Sequence, residues 1–243
     1  MLVAGWSRAT LDAASQLLAG ADSLRKDAAQ KVHLAASFTI AEFLLPGWLH
    51  AFAKVDASVR FSVDVANSRR VMERVLARDV DMGFVEDEID DDRLSSAVVA
   101  RDELVIVVAP KHPWARRDEV PARALAETAL VLREEGSGTR QTLDRALASL
   151  GLSRSVPPLL ELGSTAAVKQ AVRSGAGPAV LSRLAVGTEL EAGALCVVRV
   201  PEVELGRSLH AVWTGPAPGS PASARLLGRL AQPAGTAPAL RSR

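Results

Sequence analysis

Residues 31–52 read KVHLAASFTIAEFLLPGWLHAF, and the fold turns on the change of period within this stretch. Val32 to Ala36 packs β-branched and apolar residues into a few positions, as a short buried strand does. Ser37 and Thr39 interrupt the apolar run. From Ile40 the spacing becomes helical: Ile40, Phe43, Leu44, Trp48 and Phe52 recur at intervals of three and four. Thr39 with Glu42 has the pattern of a capping box. A buried strand therefore runs into hydroxyl residues where a helix begins. The first turn of that helix carries N–H groups without helical partners and the positive end of its dipole. In an α/β sheet, ligands sit outside the carboxyl ends of the strands. Taken alone, the unit asks of Ser37 and Thr39 only that they cap the helix. The balance changes because the chain repeats the arrangement.

Outward from this unit, strands and helices alternate. VRFSVDV (Val59 to Val65) alternates apolar and polar residues as a strand does. Asn67 and Ser68 follow it, and the next helix runs from Arg69 to Arg78. Asp81 to Val85 is a strand ending at Glu86, and the acidic run Glu86 to Asp92 reads as a solvated loop. Leu104 to Ala109 is the most apolar strand, stopped by Pro110, His112 and Pro113. A short helix over Pro121 to Leu125 and a strand over Ala129 to Leu132 lead into Gly136, Ser137 and Gly138. A helix from Thr139 to Leu150 follows, closed by Gly151. Leu159 to Leu162 is a strand that meets Ser164 and Thr165, where a helix ended by Gly175 begins. Gly177 to Leu181, Leu195 to Val200 and Leu209 to Trp213 are strands. Glu202 to Arg207 is a polar connection, and Pro221 to Leu230 a last helix. The alternation predicts two α/β sheets with parallel strands and right-handed crossovers.

Composition bounds the function. The chain has 243 residues, 48% hydrophobic and 23% charged, long enough for two modest domains with real cores. The formal net charge is +1 and no run of Lys or Arg occurs, so nothing marks a nucleic-acid-binding surface. Cys196 is the single cysteine, which excludes an internal disulfide; in LCVVRV it reads as a small core residue. Arg8 and Asp12 break up the N-terminal apolar residues, so no signal peptide is read, and no window is apolar enough to span a membrane. A cytoplasmic protein is expected.

Four strand-to-helix junctions carry small polar side chains: Ser37–Thr39, Asn67–Ser68, Ser137–Arg140 and Ser164–Thr165. Helix N-termini bind anions, Gly136 and Gly138 let backbone approach a ligand closely, and Arg140 offers a fork to a carboxylate or oxyanion. Each junction singly is as well explained by a plain N-cap. Several in one alternating chain point to a cleft for a small anion. Catalysis has less behind it. His33, His50, His112 and His210 lack metal-ligand spacing, and Ser137 in GSGT is neither a nucleophile elbow nor part of a phosphate-binding P-loop. No catalytic set, metal or cofactor is called for.

LAASFTIAEFLLPGWLHAF, DMGFVE, ELVIVVAPKHP, LREEGSGTR and LELGSTAAVKQAV with GAGPAVLSRLAV resemble, in order, the effector-binding region of LysR-type transcriptional regulators, over roughly Val32 to Leu230. The resemblance is greatest to the branch regulating sulfur assimilation and carbon fixation. It implies a type II periplasmic-binding-protein-like α/β fold: two subdomains joined by two crossing strands, with the effector between them. Ser37, Phe38, Thr39, Asn67, Ser137, Gly138, Thr139, Arg140, Ser164 and Thr165 match positions that line that cleft. Subdomain I is expected over about 31–108 with 212–232, and subdomain II over 109–211, with Val105–Ala109 and Leu209–Trp213 as the crossing strands. Glu86 falls at the cleft edge, where it would repel an anion unless it pairs with Arg140.

Residues 10–30 read as one helix with heptad-like Leu11, Ala14, Leu18, Ala21 and Ala28, either pairing with its own copy or packing on its domain. It resembles the linker helix of these regulators, and residues 1–30 are assigned to it. Too few residues precede it for a winged helix-turn-helix. A fragment, a start placed too late and a natural truncation all fit. The tail, 233–243, is expected to be disordered. The reading is therefore a ligand-sensing domain that forms a homodimer, takes a small anionic effector and reaches DNA only through a helix-turn-helix outside this chain. The alternative is a stand-alone solute-binding protein of the same fold.

Overall fold

The computed structural model describes residues 30–86 and 89–231. The expected linker helix, except for Gln30, and the expected disordered tail lie outside the described residues. Strand β1 (Gln30–Ala36) pairs in parallel with β2 (Val59–Val65) and β3 (Met82–Val85). Strand β4 (Leu94–Val108) is 15 residues long. On the other side, β5 (Val131–Arg133) pairs in parallel with β6 (Leu160–Leu162) and β7 (Ala179–Ser182). Strand β8 (Cys196–Val198) lies on β4, and β9 (Gly206–Thr214) lies between β3 and β4. The hydrogen-bonded order is β2-β1-β3-β9-β4-β7-β5-β6.

The outer strands are parallel, as expected, but the centre is not. β9 runs antiparallel to both β3 and β4, and β4 runs antiparallel to β7 and β8. The outer half of β4, Leu94 to Glu103, takes β9 as its partner; the inner half, from Leu104, takes β7 and β8. Leu209–Trp213 therefore faces Ser95 to Ala100 rather than Val105–Ala109. Both faces of each sheet are covered, which is why strands such as LVIVV are apolar without alternation. Leu104, Ile106 and Val108 meet Trp114, Leu125, Leu143 and Leu147 on one face; Val105 and Val107 meet Val168, Val172 and Leu181 on the other. The second lobe is built the same way. Val32, Leu34 and Ala36 pack with Ile40, Phe52, Phe84 and Leu226, while Ala35 packs with Val71, Val75 and Val212 behind them. The change from one pair of cores to the other falls between Ala100 and Leu104 on β4 and between Leu205 and Leu209 at β9. We call the β1–β3 side lobe I and the β5–β8 side lobe II.

The helices are α1 (Phe38–Phe43), α2 (Leu45–Ala53), α3 (Ser68–Leu76), α4 (Ala122–Ala126), α5 (Gly138–Ser149), α6 (Thr165–Arg173), α7 (Arg183–Glu191) and α8 (Pro221–Leu230). The helix expected from Ile40 onward is two. It breaks at Leu44, which is not helical, because Pro46 in the next turn lacks an N–H to continue the ladder. The capping box expected at Thr39 and Glu42 is not formed: Ser37 is the N-cap, and its side chain makes no capping bond. Helix α7 was not expected, and Cys196 is partly exposed at the core margin rather than inside it.

Candidate functional site

Strand ends from both lobes converge where β4 and β9 cross. At the end of β1, Ser37 N donates to Phe84 O at 2.9 Å, fixing the turn into α1. Ser37 is buried, with its hydroxyl beside the Glu86 carboxylate. The next residue, Phe38, lies under the Arg133 guanidinium from lobe II, 4.6 Å from Cζ to the ring centroid. Thr39 N donates to Glu86 Oε1 at 3.0 Å. At the end of β2, Asn67 accepts from Arg70 N with Oδ1 and donates through Nδ2 to Glu135 O at 3.3 Å. Beside it, Arg69 N donates to Gly136 O at 3.2 Å, a backbone tie between the lobes.

The lobe II side of this meeting is the GSGT loop. Gly136 has φ +84°, and a Cβ there would stand 3.0 Å from Arg69 Cβ. A Cβ on Gly138 would stand 2.8 Å from Glu86 Cβ and 2.9 Å from its carbonyl oxygen, so only glycine lets α5 begin against Glu86. Ser137 is buried at the start of α5, and Thr139 Oγ1 is 3.4 Å from Glu86 Oε2. At α6, Ser164 Oγ accepts from Ala167 N as a true cap, and Thr165 Oγ1 accepts from Arg133 Nη1 at 3.1 Å. Arg140 turns aside: its Nη1 donates to Glu161 and to Arg133 O, and its Nη2 lies 3.8 Å from Glu135.

The charged residues at this meeting are not paired as their sequence positions suggest. Glu86 is not an exposed edge carboxylate and does not pair with Arg140. It is buried and accepts from Arg207 Nη1 at 2.8 Å. The same guanidinium donates through Nε and Nη2 to Asp102 Oδ2 at 2.9 and 2.7 Å, and Ser182 Oγ, the cap of α7, donates to Asp102 Oδ1 at 2.8 Å. Thr39, Glu86, Arg207, Asp102 and Ser182 thus form one relay from the start of α1 to the start of α7. Burial pushes the Glu86 pKa up more than any one neighbour lowers it, but the Arg207 guanidinium, hydrogen bonds from the Ser37 and Thr39 side chains and the charge of Arg133 together outweigh it. The carboxyl is left below its ordinary value. Arg133, also buried, holds Glu134 through Nε and Nη2 at 2.8 and 2.9 Å. A buried charge at the end of an apolar strand was the signal for both residues, in GFVE and LVLR.

Two openings flank this meeting. One, of about 650 Å³, is the cleft mouth, bordered by Phe38, Asn67, Arg70, Glu134, Glu161 and Gly163. The other, of about 690 Å³, lies behind the crossing strands and reaches Glu86, Asp102 and Arg207 from the opposite side. Among the described residues, no group of His, Cys, Asp and Glu could hold a metal ion, and no helix is long and apolar enough to cross a membrane.

A family model described as LysR substrate binding domain matches residues 25–234. The chain belongs to the LysR family. It is 43% identical over 223 residues to the uncharacterized HTH-type transcriptional regulator Rv2282c of Mycobacterium tuberculosis, covering 88% of this chain and 72% of that protein. It is 34% identical over 179 residues to the HTH-type transcriptional regulator CysL of Bacillus subtilis, covering 74% of this chain and 59% of that protein. Among solved structures, the regulatory domain of Synechocystis CcmR in complex with 2-PG superposes with a TM-score of 0.74 at 26% identity, covering 83% of this chain and 96% of that one. This LysR domain therefore has the type II periplasmic-binding-protein-like fold, and its relatives are transcriptional regulators.

Proposed function

We propose that this LysR domain senses a small anionic metabolite held between its lobes and passes occupancy to transcription through a homodimer. The observation that carries the reading is Arg133. Its buried guanidinium stacks on Phe38 of lobe I and bonds Thr165 of lobe II at the cleft, next to the starts of α5 and α6. Ser37, Thr39, Asn67, Ser137, Gly138, Thr139 and Ser164 complete the lining. Arg140 is a supporting residue in this arrangement, because Glu161 and Glu135 already hold it. The 2-PG complex of CcmR supports a small anion as the ligand class. The subdomain boundaries that fit the cores lie near 102 and 207, so subdomain I takes 30–102 with 207–231. The effector site is then shared by both subdomains, so binding favours the closed form. DNA contact belongs to a helix-turn-helix beyond the residues described, and the setting is cytoplasmic and non-enzymatic.

The test is calorimetric titration with small carboxylate and phosphate anions, 2-PG first, against their neutral analogues. Saturable binding of at least one anion, weakened by Arg133→Met, is expected. Binding of neutral compounds in preference to every anion would sink the reading. Sedimentation at micromolar concentration tests the dimer, and a monomer there would refute it.

A further inference from the structure

The mouth of the cleft carries opposite charge on its two rims. Its opening of about 650 Å³ is bordered by Arg69, Arg70 and Glu73 on lobe I and by Glu134, Glu135 and Glu161 on lobe II. On lobe II, Arg133 holds Glu134 at 2.8 and 2.9 Å and Arg140 holds Glu161, but the three carboxylates border the opening and neither cation does. Two cations answer three carboxylates, and Glu135 is the surplus: its side chain is 74% exposed and lies 3.8 Å from Arg140 Nη2. On lobe I the surplus is cationic. Arg69 and Arg70 are exposed, and among the described residues neither guanidinium has a hydrogen bond or an ion pair. A ligand bearing negative charge alone in this mouth would be drawn to lobe I and repelled by lobe II. A ligand shifts a conformational balance only by what it gains in the favoured state, and closure asks for gains on both rims.

We infer that the effector carries an ammonium group beside its anionic groups, as an acidic amino acid or an aminoalkyl phosphate does. Its nitrogen is received by Glu135 and Glu161 on lobe II, and an anionic oxygen by Arg70 on lobe I. An ammonium has three donors and no acceptor, which suits a rim of carboxylates, and a guanidinium fork suits a carboxylate or a phosphate. One small molecule then neutralises both rims and draws them together. Complementary charge of this kind sets specificity more than raw affinity. The inference rests on the anion-sensing reading above and deepens it: the nitrogen decides which small anions bind.

The test uses two pairs of probes that differ only in the amine: aspartate with succinate, and 2-aminoethyl phosphate with ethyl phosphate. Each is titrated by calorimetry, at one salt concentration, into the wild-type chain, Glu135→Gln/Glu161→Gln and Arg70→Ala. The wild type is expected to favour the amine of each pair that binds by roughly fivefold or more. The double variant removes both charges but keeps an amide oxygen for Arg140, and its preference should shrink to within about twofold. Arg70→Ala should weaken both members of a pair alike and leave the preference in place. All three positions are exposed, and circular dichroism checks the fold. If the double variant does not fold, the wild-type comparison still decides, together with Glu135→Gln alone. Equal or reversed affinity within the wild-type pairs overturns the inference and leaves the anion reading standing, as does an undiminished preference in the folded double variant. Unchanged affinity in Arg70→Ala overturns the pairing across the mouth. Binding of none of the four probes by the wild type also overturns the inference, and the anion panel above then judges the anion reading by itself.

Discussion

Replacing Arg207 with Met removes the one cation from the relay between the lobes while keeping most of its apolar bulk. The side chains of Arg207, Glu86 and Asp102 are 3%, 2% and 1% exposed, so two carboxylates would be left in a desolvated site. Removing one partner of a buried pair costs about 3–5 kcal/mol. With a urea slope of about 2 kcal/mol per molar, the unfolding midpoint should fall by roughly 1.5–2.5 M. The pH dependence distinguishes this cause from simple loss of packing. In the wild type, the folded-state pKa of Glu86 is depressed. Its ionisation therefore adds stability that is present above the unfolded-state pKa and lost as pH falls through the folded-state value. Without Arg207, burial dominates and the folded-state pKa rises above the unfolded one. Glu86 then costs stability at neutral pH, and that cost fades as acid protonates it in both states. The gap between wild type and variant should be widest near neutral pH and narrow toward about pH 4.5. Urea unfolding followed by circular dichroism at both ends of that range measures it. A neutral-pH gap below about 1 kcal/mol, or a gap that stays constant in acid, would refute a buried charge relay.

Other substitutions separate the residues of the site. Arg133→Met should weaken effector binding by about tenfold or more and Arg140→Ala by less than about threefold, since the first removes a buried charge-assisted contact and the second a partly exposed pair; calorimetry ranks them, and the reverse order would return the role to Arg140. Thr39→Val keeps the N–H that bonds Glu86 and removes only the hydroxyl, so it should lower affinity several-fold without moving the thermal midpoint. Gly138→Ala should destabilise by about 1–3 kcal/mol through overpacking against Glu86, as read from denaturant melts; no change would mean that α5 shifts freely at that point. Leu143→Ala, fully buried in lobe II, should cost about 2–5 kcal/mol in the same assay.

Local rules explain what could be read before the structure. Ser37, Asn67, Ser137 and Ser164 lie at helix starts because short polar side chains suit the non-helical N-cap, and each is an N-cap in the structure. Core strands were legible as apolar runs. The outer half of β4 was not: SSAVVARD mixes exposed and half-buried residues and includes Arg101 and Asp102 within the strand. Helix α7 was hidden because LAVG continues the apolar strand before it, with only Ser182 and Arg183 between them. The apolar spacing passes through Leu44 undisturbed, so the break between α1 and α2 leaves no mark in the pattern. The partners of Glu86, Arg133 and Arg207 were beyond local rules for a different reason. Glu86 and Arg207 are 121 positions apart, and Arg133 and Thr165 are 32 apart, so only the folded chain reveals that these charges answer one another.

The insertion of β9 between β3 and β4 sets an order of events during synthesis. Lobe II is one continuous stretch, from the inner half of β4 to Leu205, and can close on itself once that stretch has left the ribosome. Lobe I cannot. Its sheet waits for Gly206–Thr214 and its core for Leu226, both made last. Until then β3 and the outer half of β4 present open edges, the kind of surface that recruits strands from other chains. Domains usually fold in the order in which they emerge. Here the lobe begun first finishes second, so a chain cut short before Gly206 would carry a finished lobe II tethered to an aggregation-prone half of lobe I.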